Sequence, residues 1–193
     1  MQINSNAAMI DNDFLDHVVS MNFNSTEIVR ILSVVFSGLN VEPMIHPLVV
    51  QNEVLVDSTK ISAVLNQDVI KLPTLEDIHE NDPARIAYYS YLVLELYKKF
   101  TGYELEIGEA TVFTFWKRRC SLGEIHSLST CLLCGCGLFL SDDSDSQKIK
   151  NIIKQNFAVD IAVHNRRAVI ELLREKGTTL SKHERKAFAH SVM

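Results

Sequence analysis

The chain has 193 residues, a formal charge of -5 and 47% hydrophobic residues. That length supports one substantial core, and no apolar run approaches the roughly 18 uncharged residues of a membrane span. The opening Met1-Gln2-Ile3-Asn4-Ser5-Asn6 lacks the basic then apolar order of a signal peptide, so a single domain over 1–193, soluble, cytoplasmic and without a membrane partner, is expected.

Ala7 to Val19 reads as a short buried strand ending near Asp11, followed by a helical turn. Ser25-Thr26-Glu27 offers an N-cap to a helix through Ile28, Ile31, Leu32 and Val35, which Gly38 stops. Val41 to Ile45 is expected as a short strand before His46-Pro47, and Leu48 to Leu55 as a helix that carries Glu53. From Asp57 to Lys71 the pattern is open between helix and loop, and Pro73 and Pro83 punctuate a polar stretch. Ala84 to Phe100 has apolar residues at helical spacing, with Lys98-Lys99 in its last turn and Gly102 behind them. The stretch at about 57–120 therefore reads as a helical insertion.

After Gly123 the alternation is regular. A helix runs from Glu124 to about Cys134, a strand covers Leu138 to Leu140, a helix runs from Ser144 to Lys154, and Phe157 to Val163 forms another strand. Asn165 or a neighbour caps a helix over Arg166 to Lys176, and Ser181 opens the last one. Strands alternating with helices of this length imply an α/β fold of right-handed βαβ units, with a mainly parallel sheet covered on both faces. Ligands of such sheets bind outside the carboxyl ends of the strands.

Four acidic positions stand beside apolar runs: Asp11 after Ala7-Ala8-Met9-Ile10, Glu53 after Pro47-Leu48-Val49-Val50, Glu124, and the pair Asp142-Asp143 after Leu138-Phe139-Leu140-Ser141. Carboxylates where buried elements surface suit a hard divalent cation such as Mg²⁺ or Mn²⁺, which takes oxygen ligands. Taken singly, each acid is equally explained as a helix cap or a turn residue. For Asp142 and Asp143, just ahead of Ser144 and a helix, capping by one of the two is expected.

Cys131, Cys134 and Cys136 fall in one apolar stretch and Cys120 stands apart, which is a poor zinc pattern and a good core one. His126, His164, His183 and His190 are expected on the surface or in packing rather than as ligands, and Trp116 with Phe113 and Phe115 as core rather than as a base-stacking platform. The charge is split along the chain: from Lys148 onward there are ten Lys or Arg against four Asp or Glu. A basic C-terminal third facing an acidic site could guide a polyanion toward it, although solvated helix faces read equally well.

Met9-Ile10-Asp11-Asn12-Asp13-Phe14-Leu15 resembles the opening strand of PIN-domain ribonucleases. Leu122-Gly123-Glu124-Ile125-His126-Ser127-Leu128-Ser129-Thr130-Cys131, with Gly135 to Asp143 behind it, is similar to the second half of that fold, with Glu124 where many members carry Asp. The resemblance covers the first 55 residues and everything after about residue 120. It implies a PIN-like three-layer α/β/α fold and a metal-dependent ribonuclease that cleaves RNA with metal-activated water, of the kind that serves as the toxin of a toxin–antitoxin or defence system.

On this resemblance Asp11, Glu53, Glu124 and Asp142 are the catalytic set and, with Asp143, the ligands of Mg²⁺ or Mn²⁺. Asp11, Glu53 and Asp142 would bind directly or through water, and Glu124 would bind or orient the attacking water. Asn12, Asp13 and Asp143 are auxiliaries, and an ungapped reading favours Asp142 over Asp143 as the last ligand. An RNA substrate, an antitoxin or other inhibitory protein, and a homodimer are the implied partners. The other class of function is a catalytically silent PIN-like module for protein interaction; a helical regulator with its acids scattered over the surface is a third. A rival opening exists at Val54-Leu55-Val56-Asp57-Ser58-Thr59, which would draw the second acid from Glu95, Glu104 or Glu106.

Overall fold

The computed structural model describes residues 3, 5–54, 58–105, 112–116 and 121–190. Its centre is a four-stranded sheet in the order β2-β1-β3-β4, every neighbouring pair parallel. The strands are β1 (Ala7–Ile10), β2 (Glu42–Ile45), β3 (Leu138–Leu140) and β4 (Ala162–His164). In register, Met9 lies between Met44 and Phe139, and Ile10 between Ile45 and Leu140. Successive strand residues point to opposite faces, so Ile10, Ile45 and Leu140 enter one core while Met9, Met44 and Phe139 enter another. Both faces are covered, as a parallel sheet requires, and β1 is buried throughout.

The first face is covered by α1 (Asn12–Val19), α2 (Ser25–Leu39), α3 (Pro47–Asn52) and α4 (Thr59–Asn66). The second carries α5 (Leu75–His79), α6 (Pro83–Thr101), α7 (Leu122–Cys134) and α8 (Ser144–Phe157). The last two helices, α9 (Arg166–Lys176) and α10 (Lys182–Ala189), return to the first face through Val169, Ile170 and Phe188. The stretch expected as an inserted layer is therefore divided between both layers: α4 packs with Ile61 and Val64 on one side, α5 and α6 with Ile78, Val93 and Leu96 on the other.

Three boundaries differ from the sequence expectation, each for a physical reason. Gly38 does not stop α2, which continues to Leu39 and ends at Asn40 in the left-handed conformation. A Cβ at Gly38 would stand 2.5 Å from Leu173 Cδ2, so this glycine permits close approach of α9. The helix α8 runs on to Phe157, which packs on the second core one turn after Ile153, and Ala158 at φ 56 ends it. Only Ala162–His164 is left as β4. The helix before Glu53 stops at Asn52, with Glu53 as its C-cap rather than a residue within it. Cys131 and Cys136 are buried and Cys134 partly so, as expected of core thiols, while Cys120 and the rival Asp57 lie outside the described residues.

Candidate functional site

The neighbouring strands β1 and β3 are followed by helices on opposite faces of the sheet, α1 and α8, and the crevice of such a switch point opens at the strand carboxyl ends. Asp11 is the first residue beyond β1. It is 3% exposed, its N–H donates to Leu140 O at 2.9 Å, and its carboxylate caps α1 by accepting from Asn12 N at 2.9 Å. Across the crevice, Ser141 follows β3, and its hydroxyl faces Asp11 Oδ2 at 3.1 Å and Asp13 Oδ1 at 3.4 Å. The same oxygen accepts from Asp143 N at 3.1 Å and from the Ser146 hydroxyl at 2.8 Å. With one proton to give, Ser141 can satisfy only one of the two carboxyls at a time.

Glu53 and Glu124 close the other side. Glu124 lies in the first turn of α7 and is 8% exposed. The preceding Gly123 faces Glu53: a Cβ there would stand 3.1 Å from Glu53 Oε2 and 3.2 Å from Oε1. A side chain at 123 would push the Glu53 carboxylate away.

Burial and mutual repulsion perturb this whole set. Asp11 is held well above the usual carboxylate range by burial, then by the charges of Glu124, Asp13 and Glu53. Glu124 is pushed up to about 8 by burial, with Asp143, Glu53 and Asp13 adding repulsion. Burial, then Asp13 and Asp16, raises Glu53, and burial also raises Asp13 against the hydrogen bonds that favour its charged form. The nearness of the two carboxyls adds to the rise at Asp11 and counters it at Asp13.

Asp142 is disposed differently from the ligand role expected of it. Its Oδ1 accepts from Arg166 N at 3.0 Å, and its Oδ2 accepts from Arg166 Nε and faces His17 Nδ1 at 2.9 Å. The strand end that supplies Asp142 lies beside the one that supplies Arg166, and a buried guanidinium takes the nearest carboxylate. Asp143 caps α8 through Asp145 N at 2.9 Å and is exposed, the capping role anticipated for one of the two. Asn12 turns its Nδ2 to Asp16 Oδ2 at 3.1 Å.

No family model, curated protein or solved structure matches this chain. The site is thus read from its own chemistry.

Oxygen donors are what a hard divalent cation takes. Asp11, Asp13, Glu53 and Glu124 offer only oxygen donors, they repel one another, and Asn12 Oδ1 is buried without a hydrogen-bond partner among the described residues. Among the described residues, no group of three or more His, Cys, Asp or Glu side chains is placed so that it could hold a metal ion.

The sequence pointed to Asp11, Glu53, Glu124 and Asp142, with Asp13 as an auxiliary; in the structure Asp11, Asp13, Glu53 and Glu124 are near enough to perturb one another, while Asp142 is bound by Arg166. It did not point to Ser141, His17 or Arg166, nor to a buried polar chain behind the site. There the Tyr89 hydroxyl lies 3.0 Å from His46 Nε2 and 2.7 Å from His126 Nδ1, all three residues fully buried. His126, expected in packing, also stacks on Trp116 with ring centroids 5.9 Å apart. His164 is half-buried, His183 meets Phe23 edge-on, and His190 is exposed. Of the alternative second acids, Glu95 pairs with Lys99 and Glu104 with Lys98, both away from the crevice, and Glu106 lies outside the described residues. No helix among the described residues is long and apolar enough to cross a membrane.

Proposed function

We propose that the chain is a PIN-like, Mg²⁺- or Mn²⁺-dependent ribonuclease whose site is formed by Asp11, Asp13, Glu53 and Glu124. The observation that carries the reading is a set of four mutually repelling carboxyls, Asp11 and Glu124 buried and Asp13 and Glu53 partly so, beside the carboxyl edge of a parallel sheet. Burying such a set costs stability, and a cation offsets that cost. When bound, the cation would supply charge neutralisation on a phosphodiester and a water of lowered pKa. Asp11 and Asp13 would hold it from α1 and Glu53 from the end of α3, with Glu124 as a further ligand or as the group that orients the attacking water. The single hydroxyl proton of Ser141 steadies the Asp11 or the Asp13 carboxyl from the neighbouring strand end.

A second reading, a silent PIN-like interaction module, is favoured by one observation: Asp142, the expected fourth acid, has both oxygens engaged by Arg166 and His17. The two readings separate on purified protein incubated with single-stranded RNA and Mn²⁺. The nuclease reading expects cleavage that EDTA stops and that Asp11→Asn abolishes. Equal cleavage by the Asn variant would mean that the site is elsewhere, and no cleavage by either form would favour the silent module.

A further inference from the structure

The described surface holds a groove of about 540 Å³ between α9 and α10. Arg167, Arg174, Lys182, Arg185 and Lys186 line it against one acid, Glu171, which is itself paired with Arg167 at 3.6 Å. The one acid of α10, Glu184, is paired with Arg30. Arg174, Lys182 and Lys186 are exposed, and among the described residues none of the three has an ion-pair partner. A protein of net charge -5 therefore keeps one concave surface that is strongly positive.

Its position gives the charge a direction. The first residue of α9 is Arg166, whose backbone N–H and side chain bind Asp142 at the end of β3, and whose Nη1 donates to Phe188 O in α10 at 3.2 Å. Both walls of the groove thus meet at a residue bonded to the neighbour of Ser141, which contacts Asp11. A polyanion approaching four carboxyls is repelled unless cations beside them hold it. We propose that this groove binds the phosphodiester backbone of single-stranded RNA and leads it to the acidic site. Its flexible lysines and arginines meet phosphates without reading bases, so the contact is independent of sequence and sensitive to salt. The destination of the strand rests on the nuclease reading; the binding surface does not.

The test is fluorescence polarisation of a short labelled single-stranded RNA in EDTA, which separates binding from cleavage, over a series of salt concentrations. The triple variant Arg174→Gln, Lys182→Gln, Lys186→Gln changes only exposed side chains and should melt at the temperature of the parent. Removing three cations should weaken binding at low salt by at least about tenfold and reduce the slope of log K against log salt by roughly 2. Equal affinity and slope in parent and variant, or no binding by the parent, overturns the proposal. Displacement of the RNA by polyglutamate at lower concentration than by unlabelled RNA would assign the groove to an acidic protein instead. Groove-dependent binding without Mn²⁺-dependent cleavage leaves the groove standing and removes the nuclease reading. Cleavage lost in Asp11→Asn but unchanged, with unchanged binding, in the triple variant does the reverse.

Discussion

The Tyr89 hydroxyl lies 2.7 Å from Nδ1 of His126, and this contact ties α6 to the helix that carries Glu124. Its tautomers follow from the partners. His46 Nδ1 accepts from Leu48 N at 3.2 Å, so its Nε2 carries the proton and donates to Tyr89, which in turn donates to His126 Nδ1. Burial holds His46 well below its ordinary pKa and His126 at about 3, so both rings are neutral at physiological pH.

Tyr89→Phe removes one hydroxyl and leaves a donor on His46 and an acceptor on His126 unmet in a dry interior. The expected loss is about 1–3 kcal/mol of unfolding free energy, read from urea denaturation. The imidazole nitrogen shifts of the parent should report Nε2–H on both rings, and a variant as stable as the parent would count against the chain of bonds.

Arg166→Met should destabilise the fold by about 3 kcal/mol or more, because Asp142 would keep its charge in a largely buried position without its cation. The double variant Arg166→Met, Asp142→Asn should recover part of that loss. Urea midpoints of the four proteins in this cycle check the coupling, and simple additivity of the two single losses would show that the pair does not act as a unit.

Much of this architecture was legible because local pattern carries it. The runs at Ala7–Ile10 and Leu138–Leu140 are too apolar for any position but a central strand, and acids directly behind such strands must surface at its carboxyl edge. Asn165 and Ser181 likewise announce their helices by capping chemistry. What was not legible depends on residues far apart in the chain. The fate of Asp142 is decided by Arg166, the role of Gly38 by Leu173, and the partners of His126 by Tyr89 of α6 and His46 at the head of α3. Glycine at 38 signals a stop or a close approach equally well until the opposite helix is placed.

Gly123 offers a variant that separates stability from function. Alanine improves helix propensity by up to about 1 kcal/mol, and its methyl would meet only the end of the Glu53 side chain, which is half-buried and able to swing. Gly123→Ala should therefore melt no lower than the parent. If Glu53 serves the cation, displacement of its carboxylate should reduce Mn²⁺-dependent cleavage by roughly tenfold to a hundredfold. A melting temperature that falls together with activity would point to packing instead.

Glu124 sets a pH dependence whose sign is fixed by its shift. Its carboxyl titrates at about 8 in the fold against a reference value of 4.5, so between those values the folded protein binds more protons than the unfolded chain. Stability then falls as pH rises through this window, because the fold must either keep a proton that the solvent removes or bury a charge. In EDTA the melting temperature should decline from pH 5 to pH 8, an effect on the order of 2 kcal/mol, and Glu124→Gln should flatten the decline. Adding Mn²⁺ should stabilise the parent most at the upper end of the range, where the carboxyls are charged and binding no longer has to displace protons. A parent whose stability rises steadily from pH 5 to pH 8 in EDTA would show that the crevice carboxyls are not held above their ordinary range.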